Sequence, residues 1–508
     1  MLTRLRVTGF KNLDVDVQLG PFTCIAGPNG VGKSNFFDAI AFLSALAAKP
    51  LLEAALEVRG GAGRMGDVRG LFRRVGDRHV EEMSFLAEMI IRREGEDQLG
   101  QVAEASITYL RYQLGLRYRA ALPSRPNGGI EIVSESLSHL KLTEAARRLG
   151  FATSKGFRES CLQGRRTTPY ISTKDFSTKD ISTKEGFVSL HADSKGGKGG
   201  GQRVFRSQDL PRTVLSSTEN AMEHPTATLA RREMLSWTQL HLEPSALRAP
   251  DDFTAPPAIG HNGAHLPATL YRLASDAAAE SSGADQNVYS RVANRLSMLV
   301  EQVRSIAVDV DEKRQLLSII MTESNGTPHL ASSLSDGTLR FLALAVMNEE
   351  RHPRSLLCLE EPENGMHPSR IPAMLRLLSD LAVDPEEPVN PDNPLRQVLI
   401  NTHSPGVVAE VPEDALLVAK LIAGPENQDL ATLAPLPDTW RTNELYKPGT
   451  VTKGELLAYL NPIGPLEHGE HGSPNSRPAG GPGPRRVKDR PDLQPYLPGL
   501  EDSIRAAE

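Results

Sequence analysis

A glycine-rich stretch near the start of the chain contains the residue types that bind phosphate. Residues 27–34 read Gly-Pro-Asn-Gly-Val-Gly-Lys-Ser and fit the pattern G-x-x-x-x-G-K-[ST]. Glycines allow the backbone to wrap so that successive N–H groups point at phosphate oxygens. We expect Lys33 to contact the β- and γ-phosphates and the Ser34 hydroxyl to bind Mg²⁺. The residues predicted to bind a nucleotide here are Asn29, Gly30, Gly32, Lys33, Ser34 and Asn35.

The segments on either side of this loop have the character that a phosphate loop requires. Residues 22–26 form a short apolar run that predicts a buried strand. Residues 35–43 predict a helix that continues to residue 58, and the N-terminus of a helix favours an anion. A chance glycine-rich turn before a helix is the alternative interpretation. The presence of both flanking elements makes that alternative the weaker one.

A second anion site is predicted at the start of a later helix. Residues 333–340 read Ser-Leu-Ser-Asp-Gly-Thr-Leu-Arg and lead into an apolar helix predicted over 341–347. Ser335 can cap this helix, so that the free N–H groups of its first turn face an anion. A plain N-cap without a ligand explains the same residues and is the commoner case when the stretch is considered alone.

Two adjacent carboxylates end a buried strand further along the chain. Residues 355–359 are mostly apolar and are followed by Glu360 and Glu361, which places both acids at the carboxyl edge of a predicted sheet. One acid can hold Mg²⁺ through water while the other polarises the attacking water. Because side chains alternate along a strand, the two acids point differently and can divide these roles. The alternative is an acidic turn after a strand.

A histidine follows the next predicted strand, which covers residues 397–402. His403 comes directly after this strand and could reach the γ-phosphate of a nucleotide. A single histidine at the end of a strand is usually structural. The prediction for His403 therefore depends on the other three motifs.

Taken in order, these four stretches resemble an ABC-type ATPase head of the RecF/SMC/OLD-like group, also called AAA15/AAA_21-type ATPases. Residues 27–34 with Asn35 resemble a Walker A motif that ends in GKSN. Residues 334–338 resemble the ABC signature, and residues 360–364, Glu-Glu-Pro-Glu-Asn, resemble the Walker B motif of the group. Residues 365–368 resemble its D-loop. The resemblance covers most of residues 1–460, and the Q-loop glutamine has no good counterpart, because Gln101 and Gln113 both fit it poorly.

The resemblance implies a fold, cofactors and roles for the residues. The fold is α/β: a P-loop ABC-type ATPase head with an antiparallel β-layer and a helical insertion. ATP and Mg²⁺ are the implied cofactors, with Ser34 and Glu360 on the metal, Glu361 as general base and His403 as the switch histidine. It also implies a homodimer in which the signature of one head covers the ATP of the other. The signature residues predicted to contact that ATP are Ser335, Asp336 and Gly337.

The rest of the chain suggests how the head is divided. Strands are predicted over 2–8 and 13–17 as a hairpin, and over 83–92, 101–116 and 129–134 as an antiparallel layer; later helices are predicted over 266–273 and 287–303, and strands over 306–310 and 316–320. Residues 171–185 hold three near-copies of a five-residue Ser-Thr-Lys unit, and a Gly/Lys run follows over 195–201. The predicted domains are an N-terminal lobe over 1–149, a flexible low-complexity insertion over 150–235, a helical region with the C-terminal lobe over 236–462, and a disordered Pro/Gly-rich tail over 463–508.

Bulk properties set the class of protein. The chain has 508 residues, 39% hydrophobic and 24% charged, and a net charge of −6, which gives no global argument for nucleic-acid binding. Its 3 cysteines form no zinc or disulfide pattern, so a cytoplasmic location is predicted. No apolar run suffices to span a bilayer, so no membrane partner is predicted.

Three functions remain open at this point. The first is an ATPase with an ATP-gated head dimer in DNA repair or anti-phage defence, with a separate effector subunit and DNA as a possible partner. The second is an ATPase subunit that energises a membrane transporter. Asn35, the Glu360–Glu361 pair and the missing Q-loop argue against the second. The third is a nucleotide-gated binding module with little turnover.

Overall fold

The structure, a computed structural model, describes eleven segments of the chain. They are residues 1–59, 68–97, 99–120, 128–176, 185–193, 202–280, 288–350, 354–424, 428–442, 449–460 and 486–490. The strands are β1 Leu2–Thr8, β2 Asp14–Gln18, β3 Phe22–Ala26, β4 Arg74–Val75, β5 Arg78–His79, β6 Glu82–Ile90, β7 Glu94–Glu96, β8 Val102–Glu104, β9 Tyr109–Arg119, β10 Gly129–His139, β11 Ile171–Phe176, β12 Glu185–His191, β13 Gln202–Arg206, β14 Trp237–Leu240, β15 Asp251–Asp252, β16 Val303–Asp311, β17 Leu316–Glu323, β18 Pro328–Leu330, β19 Leu356–Glu360, β20 Gln397–Thr402, β21 Leu416–Ala423 and β22 Asp429–Pro435. The helices are α1 Lys33–Leu46, α2 Leu51–Arg59, α3 Ala145–Leu149, α4 Lys155–Cys161, α5 Pro225–Leu235, α6 Pro244–Arg248, α7 Leu266–Glu280, α8 Val288–Ser297, α9 Asp336–Met347, α10 Ile371–Leu381, α11 Pro405–Glu410 and α12 Lys453–Leu460.

A six-stranded sheet places the ends of the motif-bearing strands side by side. Its order is β14-β19-β20-β3-β21-β22, and its first five strands are parallel. The central strand β20 is buried along its whole length, as expected for a parallel sheet covered on both faces. The predicted strands over 22–26, 355–359 and 397–402 are confirmed as β3, β19 and β20. Because all three run in the same direction, the segments that follow them meet at one edge.

An eight-stranded antiparallel sheet forms the predicted β-layer, in the order β13-β12-β11-β10-β9-β6-β1-β2. The predicted β1–β2 hairpin is confirmed, with Val7 opposite Val15. The single strand predicted over 101–116 is wrong in part, because the chain forms β8 and then β9, with residues 105–108 between them. There the Thr108 hydroxyl donates to the Cys161 carbonyl at 2.7 Å, and Ile107 pairs with Gly164.

Aromatic packing joins this sheet to α1 and so fixes the helix that follows the phosphate loop. The ring of Phe42 on α1 lies 5.7 Å from that of Phe10 and 5.8 Å from that of Phe85, and all three side chains are almost fully buried. Such aromatic contacts are worth about 1 kcal/mol each beyond the area they bury. They fix the position of α1 relative to the antiparallel sheet.

The prediction of a flexible insertion over 150–235 is wrong for the described residues there. Strands β11, β12 and β13 extend the antiparallel sheet, and α5 packs against α1 and β8. Ile171, Val188 and Leu190 are buried where β11 and β12 pair with each other, and Ile171 lies opposite Leu190. The first repeat unit lies in β11, whereas residues 177–184 and the Gly/Lys run lie outside the described residues.

Two further predictions need correction. The strands predicted over 306–310 and 316–320 are confirmed as β16 and β17, which form a four-stranded sheet with β15 and β18, whereas the helix predicted over 287–303 ends at Ser297. Within the predicted disordered tail, residues 486–490 are docked: Val487 is fully buried and its N–H donates to the Val411 carbonyl at 3.1 Å. The remaining tail lies outside the described residues.

None of the helices in the described segments is both long and apolar enough to cross a membrane. The three cysteines, Cys24, Cys161 and Cys358, are buried and free.

Candidate nucleotide-binding site

The phosphate loop joins β3 to α1 and adopts a backbone that requires glycine. Gly30 and Gly32 have φ values of +79° and +113°, in the region that side chains with a Cβ rarely adopt. A Cβ on Gly32 would lie 2.7 Å from the Cβ of Ala431, so this glycine also allows close packing on β22. The loop leads directly into the first turn of α1, where free N–H groups attract anions.

Lys33 begins α1 and folds back over the loop. Its ammonium donates to the carbonyls of Gly27 at 2.6 Å and Pro28 at 2.9 Å, and only 7% of the residue is exposed. Burial lowers the pKa of Lys33, although nearby glutamates, Glu361 foremost, act in the opposite direction. A buried cation that faces carboxylates across a polar cleft fits an anionic ligand bridged to a metal.

The residue after the phosphate loop is anchored by the turn that follows β1. The Asn35 amide donates to Asn12 Oδ1 at 2.7 Å, and Lys11 forms an ion pair with Asp38 one turn further along α1. Asn35 also lines the cleft described below. Asn12 therefore fixes the start of α1, a role that the local sequence does not predict.

Glu360 ends β19 and is held by a glutamine from the neighbouring strand. Gln239 on β14 donates its Nε2 to Glu360 Oε1 at 3.1 Å. Gln101 and Gln113, the two glutamines weighed from sequence, are absent from the described lining of the cleft. The role of Gln239 depends on the parallel pairing of β14 with β19, which no local pattern in the sequence indicates.

Glu361 lies just beyond the strand in a strained backbone conformation. Its φ of +44° is uncommon for a residue other than glycine, and its N–H donates to the carbonyl of Asn401 at 3.0 Å and to Asn401 Oδ1 at 3.1 Å. Its carboxylate accepts a hydrogen bond from Asn364 Nδ2 at 2.7 Å and contacts His403 Nδ1 at 2.6 Å.

These contacts determine the charge of Glu361. Partial burial raises the pKa of its carboxyl, but the hydrogen bonds from Asn364 and His403, together with the positive charge of Lys33, outweigh burial and hold the pKa below the usual glutamate value. Glu361 is therefore ionised at neutral pH, as a general base must be. Asn364 contacts one oxygen of this carboxylate and His403 contacts the other, so both residues orient the same group.

A third acid, Glu363, contacts the last residue of β20. Glu363 is 7% exposed; its Oε1 accepts a hydrogen bond from the Thr402 hydroxyl, and its Oε2 has no partner. Burial raises its pKa. The Thr402 hydroxyl in turn accepts the Ser404 N–H at 2.9 Å. Thr402 and Ser404, the residues on either side of His403, are therefore held in place through Glu363.

The predicted signature residues lie at the start of α9. Ser335 caps the helix, accepting the Thr338 N–H at 3.2 Å, and Asp336 forms an ion pair with Arg248. Gly337 packs against the loop after Glu361: a Cβ there would lie 2.8 Å from the Gly365 carbonyl. Ser335 is exposed, whereas Gly337 is buried against that loop.

One cleft collects most of the predicted site. It is lined by Asn29, Gly30, Gly32, Lys33, Ser34, Asn35, Glu360, Glu361 and Asn401. The six loop residues and the two acids that the sequence indicated are therefore together, and His403 touches one of those acids. Ser335, Asp336 and Gly337 are not part of the cleft in the described chain. Asn401, Asn364 and Gln239 were missed by sequence reasoning.

Comparison with known proteins assigns a family. The AAA_21 family, described as "AAA domain, putative AbiEii toxin, Type IV TA system", matches residues 22–96 and 199–409, more than half of the chain. No curated protein matches.

Solved structures similar to this chain include heads of SMC proteins. An SMC head bound to the C-winged helix domain of ScpA is 12% identical with a TM-score of 0.45. The match covers 86% of this chain and 98% of that head. The SMC head domain from Thermotoga maritima is 13% identical with a TM-score of 0.36 and the same coverage. An Smc head with an extended coiled coil, bound to the C-terminal domain of ScpA derived from Pyrococcus furiosus, is 11% identical with a TM-score of 0.42, and covers 86% of this chain and 96% of its own. With its phosphate loop and paired acids in one cleft, and with the family match over more than half of its length, this chain belongs to the AAA_21 family of P-loop ATPase domains.

Proposed function

We propose that the protein binds ATP with Mg²⁺ in this cleft and hydrolyses it, and that two heads close around the nucleotide. The observation that carries the proposal is the convergence of Lys33 and Ser34 with Glu360 and an ionised Glu361 in one cleft. Phosphoryl transfer depends mainly on positioning and on electrostatic stabilisation, and these residue types supply both.

The residues divide the work in the following way. The loop N–H groups and Lys33 bind phosphate oxygens, while Ser34 and Glu360 hold Mg²⁺, which neutralises developing charge on the phosphates. Glu360 is pre-oriented by its hydrogen bond from Gln239. The arrangement fits Mg²⁺, which is commonly held by one or two carboxylates together with substrate phosphates.

Glu361 accepts the proton of the attacking water. Its lowered pKa keeps the carboxylate available, and Asn364 and His403 hold each of its oxygens in place. A base held within hydrogen-bond reach of its proton contributes about 10²- to 10⁴-fold to a rate.

The head dimer is proposed because the signature lies outside the cleft. Ser335 is exposed at the start of α9 and does not line the described cleft, so in this proposal a second copy brings a signature to the phosphates. A two-fold dimer satisfies both heads at once, because each supplies its cleft to one site and its signature to the other.

For the biological role we propose anti-phage defence or DNA repair in the cytoplasm, with a separate effector subunit and DNA as candidate partners. The family description names a type IV toxin–antitoxin system, which supports a defence role. Affinity purification of the protein from its own host, with and without nuclease treatment, tests this part. Recovery of the chain alone under both conditions contradicts it.

The central experiment measures phosphate release and mass by light scattering, with and without ATP and Mg²⁺, for wild type and Glu361→Gln. We expect ATP-dependent dimers in both proteins and turnover lowered at least about a hundredfold in the variant. Glu301→Gln removes one exposed charge outside the cleft and serves as the matched control. Equal turnover in wild type and Glu361→Gln contradicts the assignment of the base.

A further inference from the structure

Asn401 is a buried amide inside the proposed nucleotide cleft. It occupies the last but one position of β20, is 1% exposed and lines the cleft beside the two acids. Building on the proposed function, we infer that Asn401 recognises the terminal phosphate of the triphosphate through its Nδ2 and positions the peptide of Glu361 through its Oδ1. It would therefore distinguish ATP from ADP.

The orientation of the amide follows from its hydrogen bond to Glu361. The Glu361 N–H can only donate, so the atom that it meets at 3.1 Å must be the amide oxygen of Asn401. The carbonyl of Asn401 accepts the same N–H at 3.0 Å. Asn401 thus supplies both acceptors for the N–H of Glu361, whose φ is +44°. The NH₂ group of the same amide points away from that N–H.

The NH₂ group has no hydrogen-bond partner among the described residues. Nδ2 is not one of the fully buried polar atoms that lack a partner, so it keeps contact with the cleft and can donate to an acceptor that arrives with a ligand. The neighbouring carboxylate Glu360 already accepts from Gln239, and Glu361 accepts from Asn364 and contacts His403. Phosphate oxygens are the acceptors that the rest of this cleft is built to bind.

The strand order fixes the position of this donor within the cleft. Asn401 pairs with Ile25 on β3, one residue before the end of the strand that feeds the phosphate loop, and with Glu360 on β19. It therefore lies between the loop and the metal-side acid. Since side chains alternate along a strand, the next residue, Thr402, points the other way, to Glu363.

The experiment measures equilibrium binding of ADP and of a non-hydrolysable ATP analogue, each with Mg²⁺, to wild type and to Asn401→Ala and Asn401→Asp. We expect Asn401→Ala to lose about tenfold or more in affinity for the triphosphate, as for other hydrogen bonds to charged groups, while its affinity for ADP changes less than about threefold. Asn401→Asp should lose more, because its charge repels the phosphate. Asn325→Asp, in an exposed turn, adds the same charge elsewhere and is the control.

The possible outcomes separate this inference from the proposed function. ADP affinity reports whether each variant is folded, so a selective loss of the triphosphate supports recognition by Asn401. An unchanged preference, or equal loss of both nucleotides, overturns the inference while wild-type ATP binding still supports the proposed function. Failure of wild type to bind either nucleotide overturns the proposed function itself.

Discussion

A mixing experiment tests whether each ATP site is completed by a second chain. Lys33→Met removes the phosphate-binding ammonium of the cleft, and Ser335→Arg places a bulky cation at the start of α9. Either variant alone should be inactive, because every site in its dimers contains one defective half. The two defects lie at different places on one chain, because Lys33 lines the described cleft and Ser335 does not.

The expected recovery follows from the two-fold geometry. In a heterodimer of the two variants, one site combines both defects, and the other combines an intact cleft with an intact signature. Random assembly of equal amounts gives roughly half heterodimers, and half of their sites are intact, so activity per chain should return to about a quarter of wild type in the mixture and to about half in isolated heterodimers. Sites that are completed within one chain give no recovery at any ratio.

The assay is phosphate release from co-expressed, separately tagged chains, so that heterodimers can be isolated. Lys33→Met paired with Glu361→Gln is the matched control: both defects lie in the same cleft, so neither site of this heterodimer is intact. Recovery that is absent from the first pair, or equal in both pairs, refutes the composite site. A Glu301→Gln chain paired with wild type gives the reference rate for tagged chains.

Three other predictions concern the acids. Asn364→Ala removes a hydrogen bond that lowers the pKa of Glu361, so the acid limb of the kcat–pH profile should move to higher pH; an unmoved limb contradicts the role of Asn364. The pKa of Glu363 is raised in the folded state, so its stabilising effect is present below the unfolded pKa and lost as pH rises through the folded pKa. The free energy of unfolding of Glu363→Gln, relative to that of wild type, should therefore be higher at pH 8 than at pH 4. Urea denaturation at both pH values measures this difference, and a difference that does not change with pH contradicts the prediction. At Glu361, where φ is +44°, glycine should be more stable than alanine by about 0.5–1 kcal/mol, the reverse of the usual order, and melting temperatures of the two variants show the sign.

The parts of the site that could be predicted are those encoded by contiguous residues. The loop over 27–34 carries its own conformational requirement in Gly30 and Gly32, and the apolar runs before Glu360 and His403 reveal strands that end in polar groups. Such signals are local, so a single sequence contains them. Each of these runs is followed by polar residues at its carboxyl end, and this shared pattern favours parallel neighbouring strands.

The residues that escaped prediction act through long-range pairing. Gln239 matters only because β14 lies next to β19, and Asn401 only because β20 lies between β19 and β3. No local pattern marks either residue. The strands β11 and β12 could not be predicted for another reason: the burial of Ile171, Val188 and Leu190 depends on pairing within a sheet whose other strands lie far away in the sequence.

The loop that follows β19 connects the two halves of the proposed mechanism. Asn364 donates its side chain to the base Glu361, while its carbonyl accepts a hydrogen bond from Arg340 on α9, and Gly365 lies against Gly337 of the signature. A displacement of Glu361 during turnover must therefore move, or strain, the start of α9 on the same chain. In the proposed dimer that helix faces the partner's nucleotide. The proposed dimer therefore has a physical link between its two ATP sites, because each base is attached through this loop to the signature that completes the other site.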